Sequence, residues 1–399
     1  MKPRLAVLLL AALAASCAPE TPRRPPPVPG PAPLPQGPDQ FGLIPAQFND
    51  LPGWRADGAA AVLPALNRTC DRVLKQPNDK SIGQNGMGGT VADWYSPCSA
   101  ARRVGANDHE AARVMFEEWF VPFLAVNNGS ADGLFTGYFE PELAGSRTKK
   151  GRFTVPILGK PRDLVTRKGA DGSTESGRMV DGRFTPYPSR AEIEAGAIAA
   201  QATPLAWVED PVDAHILHIQ GSGRIRLEDG SVLRLGVAAT NGHKFVGISK
   251  ILRERGLIED TPMPGVRAWL KANPARAKAL MAENPRYVFY TPISGDGPVG
   301  SEGVALTAGR SMAVDPRYVA LGLPLFLDTV EPSGQPLRRL VMAQDTGAAI
   351  KGPIRGDFFW GTGEEAFDKA GRMKSPGRYW ILLPQRRSPR IAMAEEQNP

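Results

Sequence analysis

The sequence contains few residues of the types that bind metal ions. Its 399 residues include three cysteines and four histidines, and no two cysteines form a Cys-x-x-Cys pair. Structural zinc sites require such clustered ligands, so we expect no metal ion. The sequence also lacks a Walker loop, a dinucleotide-binding fingerprint and a basic stripe with interleaved aromatic residues. We therefore predict no cofactor and no nucleic-acid partner.

The sequence also has no apolar run long enough to cross a membrane as a helix, which takes about 20 residues. Its longest run, Leu5–Ala15, follows two cations and precedes small residues, the layout of a cleaved secretory signal over residues 1–17. The segment Ala14–Cys17 resembles a bacterial lipobox, which predicts a lipid anchor on Cys17; a plain secreted form is the alternative. Because Ala18 replaces the aspartate that retains lipoproteins at the inner membrane, we expect a periplasmic protein anchored to the outer membrane.

Glycine and proline, in contrast, are abundant, with 43 and 39 residues. This composition favours many turns and short strands over a helical bundle, and 42% hydrophobic residues are enough for a sizeable core. Ten prolines between Pro19 and Gln40 predict an extended linker over residues 18–40. Residues 387–399 are predicted to form a flexible tail. Cys70 and Cys98 can pair in an oxidising compartment, but the sequence leaves this open.

Local patterns predict individual elements. Asp108 is a good N-cap, and the apolar stripe Ala112–Phe123 predicts a helix that is kinked or ends near Pro122. The alternating, aromatic segment Gly133–Pro141 predicts a strand. Asp229-Gly230 between two alternating segments predicts a β-hairpin.

The alternating segment Ala214–Gln220 is also interpreted as a strand. In a strand, His215 and His218 would lie on opposite faces and would not share a metal ion. The final stretch, Arg286–Leu383, is predicted to consist of strands and turns. Along the chain, a predicted helix and strand are followed by a β-rich segment and then by helices and strands again. This order suggests that a β-rich domain is inserted into another domain.

Three aspartates of the C-terminal region stand in distinctive motifs, which read Ala313-Val314-Asp315-Pro316, Gln344-Asp345-Thr346-Gly347, Ile350-Lys351-Gly352 and Gly356-Asp357. Upstream motifs read Gly137-Tyr138-Phe139-Glu140-Pro141, His218-Ile219-Gln220-Gly221-Ser222-Gly223 and Asn241-Gly242-His243. Together they resemble the membrane-bound lytic murein transglycosylase A family, with its C-terminal three-aspartate domain. The resemblance covers roughly residues 130–383, in the order of the family.

The resemblance implies a mainly β fold with peripheral helices, in which a six-stranded double-psi β-barrel is interrupted by an inserted smaller β domain. We assign the catalytic barrel domain to residues 41–143 and 287–386. The insert, residues 144–286, would form the other wall of a glycan groove. The implied partners are peptidoglycan glycan strands, the outer membrane through the lipid anchor, and other cell-wall enzymes as candidate protein partners.

The implied activity is cleavage of the β-1,4 bond between N-acetylmuramic acid and N-acetylglucosamine, with formation of 1,6-anhydro-N-acetylmuramic acid. The leaving oxygen needs a proton, which a carboxylic acid supplies if burial raises its pKa. A hydrolase needs a second carboxylate, whereas here the C6 hydroxyl of the sugar attacks C1 as a tethered nucleophile. One acid that then becomes the base therefore suffices, and the single acid of the family maps onto Asp357.

The other candidates have supporting roles. Asp345 and Asp315 have good turn chemistry, which favours structural roles behind the catalytic residue. Lys351 would bind a sugar oxygen or offset charge beside Asp357; an exposed lysine is the alternative. The residues predicted to bind substrate are Tyr138, Glu140, Gln220, Gly221, Ser222 and Gly356. Core packing for the first two, and a plain exit from a strand for Gln220 and Ser222, are the competing interpretations.

Two alternative functions stay open. A hydrolytic muramidase would use Asp345 or another carboxylate as its second group. A non-catalytic peptidoglycan-binding lipoprotein would bind the cell wall without cleaving it. The segment Val237–Thr240, where the chain departs from the family pattern, keeps this second alternative open.

Overall fold

The computed structural model describes residues 38–83, 86–169, 174–259, 262–295 and 297–385. The predicted signal with Cys17, the tail at 387–399 and most of the predicted linker lie outside these ranges. Within them, no helix is both long and apolar enough to cross a membrane.

Seventeen strands form three sheets in the described residues. They are β1 (Phe41–Pro45), β2 (Phe120–Asn127), β3 (Gly133–Glu140), β4 (Glu142–Ser146), β5 (Val155–Leu158), β6 (Val165–Lys168), β7 (Thr174–Val180), β8 (Arg183–Pro186), β9 (Pro204–Val208), β10 (Gly223–Leu227), β11 (Val232–Thr240), β12 (Val288–Pro292), β13 (Ser311–Val314), β14 (Pro324–Val330), β15 (Pro336–Asp345), β16 (Arg355–Thr362) and β17 (Lys374–Pro384). The first sheet has the order β1-β2-β17-β14-β15-β13-β16-β3, the second β12-β11-β10-β4-β9-β5, and the third β6-β7-β8.

The α-helices of the described residues lie outside the sheets. They are α1 (Leu63–Val73), α2 (Tyr95–Arg103), α3 (His109–Trp119), α4 (Arg190–Glu194), α5 (Pro211–Gln220), α6 (Ile248–Glu254), α7 (Met263–Ala272), α8 (Pro274–Ala282) and α9 (Glu364–Arg372). Helices α1–α3 pack on the first sheet in one continuous core, and α5–α9 share a second core.

The pairing of β3 with β17 closes six strands, β17-β14-β15-β13-β16-β3, into a barrel. The predicted mainly β fold class is thereby confirmed. In β14, the consecutive residues Leu325, Phe326 and Leu327 are all fully buried, as expected for a strand covered on both faces. Trp54 of the N-terminal region packs against Phe326, with 5.4 Å between ring centroids.

The chain passes from the barrel into the second sheet almost without a loop. Strand β3 ends at Glu140 and β4 begins at Glu142. The predicted hairpin at Asp229-Gly230 is confirmed, since it joins the antiparallel strands β10 and β11. The division into domains at residues 144 and 286 stays a prediction.

The predicted helix at Asp108 begins where expected but ends earlier. Asp108 Oδ1 accepts a hydrogen bond from the Ala111 amide at 2.9 Å, which confirms the N-cap. The helix stops at Trp119, and the last part of the apolar stripe belongs to β2. Pro122 disfavours the helical conformation at Val121, and the extended segment pairs with both β1 and β17.

The predicted strand Ala214–Gln220 is wrong, because this segment is the C-terminal part of helix α5. Asp210 caps the helix by accepting hydrogen bonds from two backbone amides, a proline occupies the first turn, and Gly221 ends it in the left-handed region at φ 81°. These are strong start and stop signals, and they outweigh the short alternation. His215 and His218 are therefore one turn apart on the same side of a helix.

The C-terminal region is also more than strands and turns, since it contains helix α9. Its first turn carries Glu364 and Glu365, and its last turn carries Lys369 and Arg372. This charge order complements the helix dipole. It is visible in the sequence and could have predicted the helix. Within the described residues, no group of three histidine, cysteine or acidic side chains is placed to hold a metal ion.

Cys70 of α1 and Cys98 of α2 form a disulfide, with 5.7 Å between their Cα atoms. Both cysteines are fully buried. Because the cross-link restricts the unfolded chain, replacing both with alanine should lower the free energy of unfolding by about 2–4 kcal/mol. Urea denaturation measures this change.

The parent protein, denatured in urea with a reductant present, is the control for this prediction. Its unfolding midpoint should fall toward that of the double alanine variant. If the midpoint were the same with and without the reductant, the disulfide would contribute nothing to stability.

Candidate active site

Asp357 lies on β16 and pairs in parallel with Thr136 of β3. Thr136 Oγ1 donates a hydrogen bond to Asp357 Oδ1 at 2.5 Å. Arg355 Nη2 in turn donates to Thr136 Oγ1 at 2.8 Å. Because a guanidinium only donates, the threonine hydroxyl accepts from Arg355 and directs its own proton to Asp357. When Asp357 is ionised, both hydrogen bonds therefore have a fixed direction.

Burial raises the pKa of Asp357 to about 6. The hydrogen bond from Thr136 and the charge of Arg355 act against this rise, whereas the charge of Asp345 adds to it. The following residue, Phe358, is fully buried, while Asp357 itself stays partly exposed. A carboxyl group of this pKa exists in both protonation states near neutral pH, as acid–base catalysis requires.

Asp345 lies at the end of β15, close to Asp357. Ala313 of β13 pairs with Asp345 on one side and with Asp357 on the other. Since neighbouring strands are about 4.8 Å apart, the two aspartate Cα atoms are about 10 Å apart. Asp345 Oδ1 accepts hydrogen bonds from Ser301 N at 2.9 Å, Ser301 Oγ at 3.0 Å and Thr346 N at 2.9 Å. The carboxylate thus anchors the Ser301 segment beside the barrel strands.

Asp315 follows β13 and is buried. Burial alone would raise its pKa, but hydrogen bonds from Arg317 and from the Gly352 amide outweigh this effect and lower the pKa of Asp315 to about 2. The Gly352 amide donates to Asp315 Oδ2 at 2.9 Å. Asp315 therefore holds the turn that precedes β16. The neighbouring Lys351 is exposed and has no ion pair within the described residues.

Tyr138 of β3 is brought together with the two aspartates. Its ring packs against Phe359, with 5.1 Å between centroids, and its hydroxyl oxygen is buried without a hydrogen bond of good geometry in the described part of the chain. Burial, followed by the charges of Asp345 and Asp357, raises the pKa of Tyr138 well above its ordinary value. The side chains of Tyr138, Asp345 and Asp357 therefore form one cluster.

Glu140, at the end of β3, is buried between the barrel and the second sheet. It is 2% exposed, accepts a hydrogen bond from Thr362 Oγ1 at 3.0 Å and pairs with Arg234 Nη1 at 3.4 Å. Burial raises the pKa of Glu140 above its ordinary value. The residue thus connects β16 with β11.

The predicted substrate-binding residues Gln220, Gly221 and Ser222 lie at the C-terminal end of α5, which ends at Gln220. All three are partly exposed. A Cβ atom on Gly221 would lie 3.3 Å from Cγ2 of Val237 in β11. This contact places the three residues beside the second sheet.

Gly356 has a packing reason to be glycine. A Cβ atom at this position would lie 2.6 Å from Sδ of Met312 and 2.9 Å from the ring of Phe135. Both neighbours are fully buried in the barrel core. The barrel interior therefore accounts for this glycine independently of any ligand.

Sequence reasoning missed three residues of the site: Thr136, Arg355 and Ser301. Thr136 lies in the predicted strand Gly133–Pro141, and Arg355 is two residues before Asp357. Thr136 and Asp357 are 221 residues apart in sequence. The parallel pairing of β3 with β16 brings them together, and no local pattern indicates it.

Comparison with known proteins identifies the family. The protein of Escherichia coli (strain K12) named membrane-bound lytic murein transglycosylase A is 32% identical over 304 residues, which cover 74% of this chain and 76% of that protein. The chain belongs to the membrane-bound lytic murein transglycosylase A family. The family models agree, since residues 134–291 match the MltA specific insert domain and residues 310–383 match the 3D domain. The resemblance that the motifs suggested is confirmed.

Solved structures of the family have the same fold. MltA from Neisseria gonorrhoeae is 31% identical, with a TM-score of 0.75, and the match covers 91% of this chain and 95% of that one. The lytic transglycosylase LtgG of Burkholderia pseudomallei is 40% identical, with a TM-score of 0.64, and the match covers 90% and 99% of the two chains. Escherichia coli MltA with bound chitohexaose is 26% identical, with a TM-score of 0.63, over 87% and 95% of the chains.

Proposed function

We propose that this lytic murein transglycosylase cleaves the β-1,4 bond between N-acetylmuramic acid and N-acetylglucosamine and forms 1,6-anhydro-N-acetylmuramic acid, with Asp357 as the only acid and base. The observation that carries the proposal is the position of Asp357, partly exposed on the barrel and oriented by Thr136. Family membership gives the enzyme class. The product and the single-residue mechanism are our inference.

The reaction has two proton transfers. Protonated Asp357 first gives its proton to the glycosidic oxygen, and the bond between C1 and that oxygen breaks. The C6 hydroxyl of the same muramic acid then bonds to C1 and returns its proton to Asp357. No water is consumed and the carboxylic acid is restored, so a second carboxylate is not required.

The hydrogen bonds suggest which oxygen of Asp357 acts. Oδ1 accepts the proton of Thr136, whose hydroxyl is already oriented by Arg355. Protonation at Oδ1 would require Thr136 to give up this hydrogen bond and turn its hydroxyl proton elsewhere, so we place the transferable proton on Oδ2. Oδ2 makes no hydrogen bond within the described residues and is available to the glycosidic oxygen.

Tyr138 is the best supported of the proposed substrate contacts. Its hydroxyl is buried, makes no hydrogen bond of good geometry within the described residues and lies near both Asp345 and Asp357. A sugar oxygen bound there would satisfy this group, which otherwise costs free energy. The chitohexaose bound to Escherichia coli MltA supports a glycan ligand. Glu140, Gln220, Gly221, Ser222 and Gly356 stay proposed contacts with less direct support.

We also infer a periplasmic location, with anchoring to the outer membrane through Cys17. The disulfide between Cys70 and Cys98 supports this, because structural disulfides persist in oxidising compartments. The relatives carry the name membrane-bound. Labelling with a radioactive fatty acid, compared between the full chain and a Cys17→Ser variant, tests the anchor.

Mass spectrometry of digested sacculi tests the proposed reaction. The expected products end in 1,6-anhydro-N-acetylmuramic acid and are one water lighter than the products of a muramidase. Digestion in water enriched in oxygen-18 is the control, since a non-hydrolytic reaction incorporates none of it. Products with a labelled reducing end would show hydrolysis and overturn the proposal.

A further inference from the structure

A cleft lies between the second sheet and helices α4, α5, α7 and α8. Its volume is 1210 Å³, more than the roughly 300–1,000 Å³ usual for small-molecule sites. Neither Asp357 nor Asp345 lines it. Apolar side chains that include Leu143, Ile193 and Leu270 form much of its wall. The cleft is therefore distinct from the candidate active site and is large enough for several linked residues.

His215 of α5 is an unsatisfied polar group in this cleft. It is 3% exposed, and neither of its ring nitrogens has a hydrogen-bond partner among the residues that the structure describes. Burial lowers the pKa of His215 to about 3, so the imidazole is neutral, with one nitrogen as donor and the other as acceptor. An amide group offers the complementary pair, since its carbonyl accepts and its N–H donates. The residue therefore favours a ligand that contains amides.

The charges of the cleft favour a ligand with a carboxylate. Each acidic residue of its lining already has a cationic partner, in the pairs Glu142 with Arg224, Glu194 with Arg190, Glu209 with Arg152, Asp210 with Lys271, and Asp213 and Glu364 with Arg267. In contrast, Lys149 and Lys278 are exposed and have no carboxylate partner in the part of the chain that the structure describes. Lys149 lies over the ring of Trp207, at 5.6 Å from its centroid.

We propose that this cleft binds the short, carboxylate-ended peptides that peptidoglycan carries on its glycan strands. The choice of this peptide rests on the proposed function. The amides of the peptide would satisfy His215, its small apolar side chains would contact the walls, and its terminal carboxylate would pair with Lys278. The enzyme would then hold the peptide and the glycan of its substrate at two separate sites.

Isothermal titration calorimetry with the full chain tests the proposal. The probe is the free stem peptide, released from peptidoglycan by an amidase and therefore free of sugar. We expect binding to the parent, at least tenfold weaker binding to His215→Phe, and weaker binding to Lys278→Gln. The same peptide with an amidated C-terminus should bind the parent more weakly. Lys75→Gln removes an exposed lysine outside the cleft and serves as the matched control.

Absence of binding to the parent at millimolar peptide would overturn the proposal, as would parent-like affinity in both cleft variants. Displacement of the peptide by chitohexaose would assign the cleft to glycan and overturn it too. Thermal unfolding establishes whether His215→Phe is folded; if it is not, the exposed Lys278→Gln decides. No bond is cleaved in the calorimetric measurement, so absence of peptide binding would not contradict the proposed reaction. Conversely, hydrolytic products in the mass spectrometry would not contradict peptide binding.

Discussion

Replacement of Asp357 by asparagine is expected to lower the rate of glycan cleavage by about 10²–10⁴-fold, the usual contribution of general acid–base catalysis. Asparagine keeps an oxygen that accepts the hydrogen bond of Thr136, but it neither gives nor takes a proton at the glycosidic oxygen. Release of soluble fragments from purified sacculi measures the effect. Asp132→Asn, a change at an exposed aspartate just before β3, is the matched control and should retain the parent rate.

The pH dependence of the parent follows from the same carboxyl group. Burial raises the pKa of Asp357 to about 6, and only the protonated form gives the first proton. The rate should therefore fall as the pH rises through about 6. A near-parent rate in Asp357→Asn, or a parent rate that stays constant from pH 5 to about 8, would contradict the assignment.

Thermal unfolding of Asp357→Asn separates lost chemistry from lost structure. The pKa of Asp357 is about 6 in the folded protein, above its ordinary value of 3.8. Between these values the folded state binds more protons than the unfolded state, so the stability contributed by this group falls as the pH rises. Asparagine does not ionise and should make the variant at least as stable as the parent at neutral pH. A markedly less stable variant would attribute the inactivity to misfolding.

Local signals in the sequence predicted those elements that a capping side chain or a two-residue turn defines. The Asp229-Gly230 hairpin and the Asp108 cap are confirmed because a two-residue turn and a capping side chain act within a few residues. Helix α5 was missed because seven residues of apparent alternation were interpreted as a strand. Asp210 and Gly221, which mark the two ends of the helix, were not given enough weight. Short apolar runs are ambiguous between strand and helix, and the caps resolve them.

Asp357, the catalytic candidate, was predicted from the sequence by a different route. The motif around Asp357 pointed to this residue through family resemblance, but it gave no information on the distant residues that surround it. The pKa of Asp357 depends on burial by distant segments and on Thr136, which is 221 residues away. Thr136 and Asp357 come together only when β3 and β16 pair. The register of this parallel pair is set by the whole barrel, so it cannot be predicted from either strand alone.

Thr136 provides the second large expected effect. Thr136→Val has nearly the same shape but lacks the hydroxyl that donates to Asp357 Oδ1. A hydrogen bond to a charged group contributes about 1.5–3 kcal/mol, so we expect the cleavage rate to fall roughly 10–100-fold. Because the hydroxyl contacts the aspartate, we expect kcat to fall with little change in KM.

The pH profile distinguishes this positioning role from a merely structural one. The Thr136 hydrogen bond lowers the pKa of Asp357, so its loss should raise that pKa above about 6 and move the alkaline limb of the rate profile to higher pH. Thr136→Ser restores a hydroxyl between Arg355 and Asp357 and should bring both the rate and the limb back toward the parent. If the valine variant were slow but titrated like the parent, Thr136 would act through packing alone. The assignment of the transferable proton to Oδ2 would then lose its basis, because that assignment depends on Oδ1 being occupied by this donor.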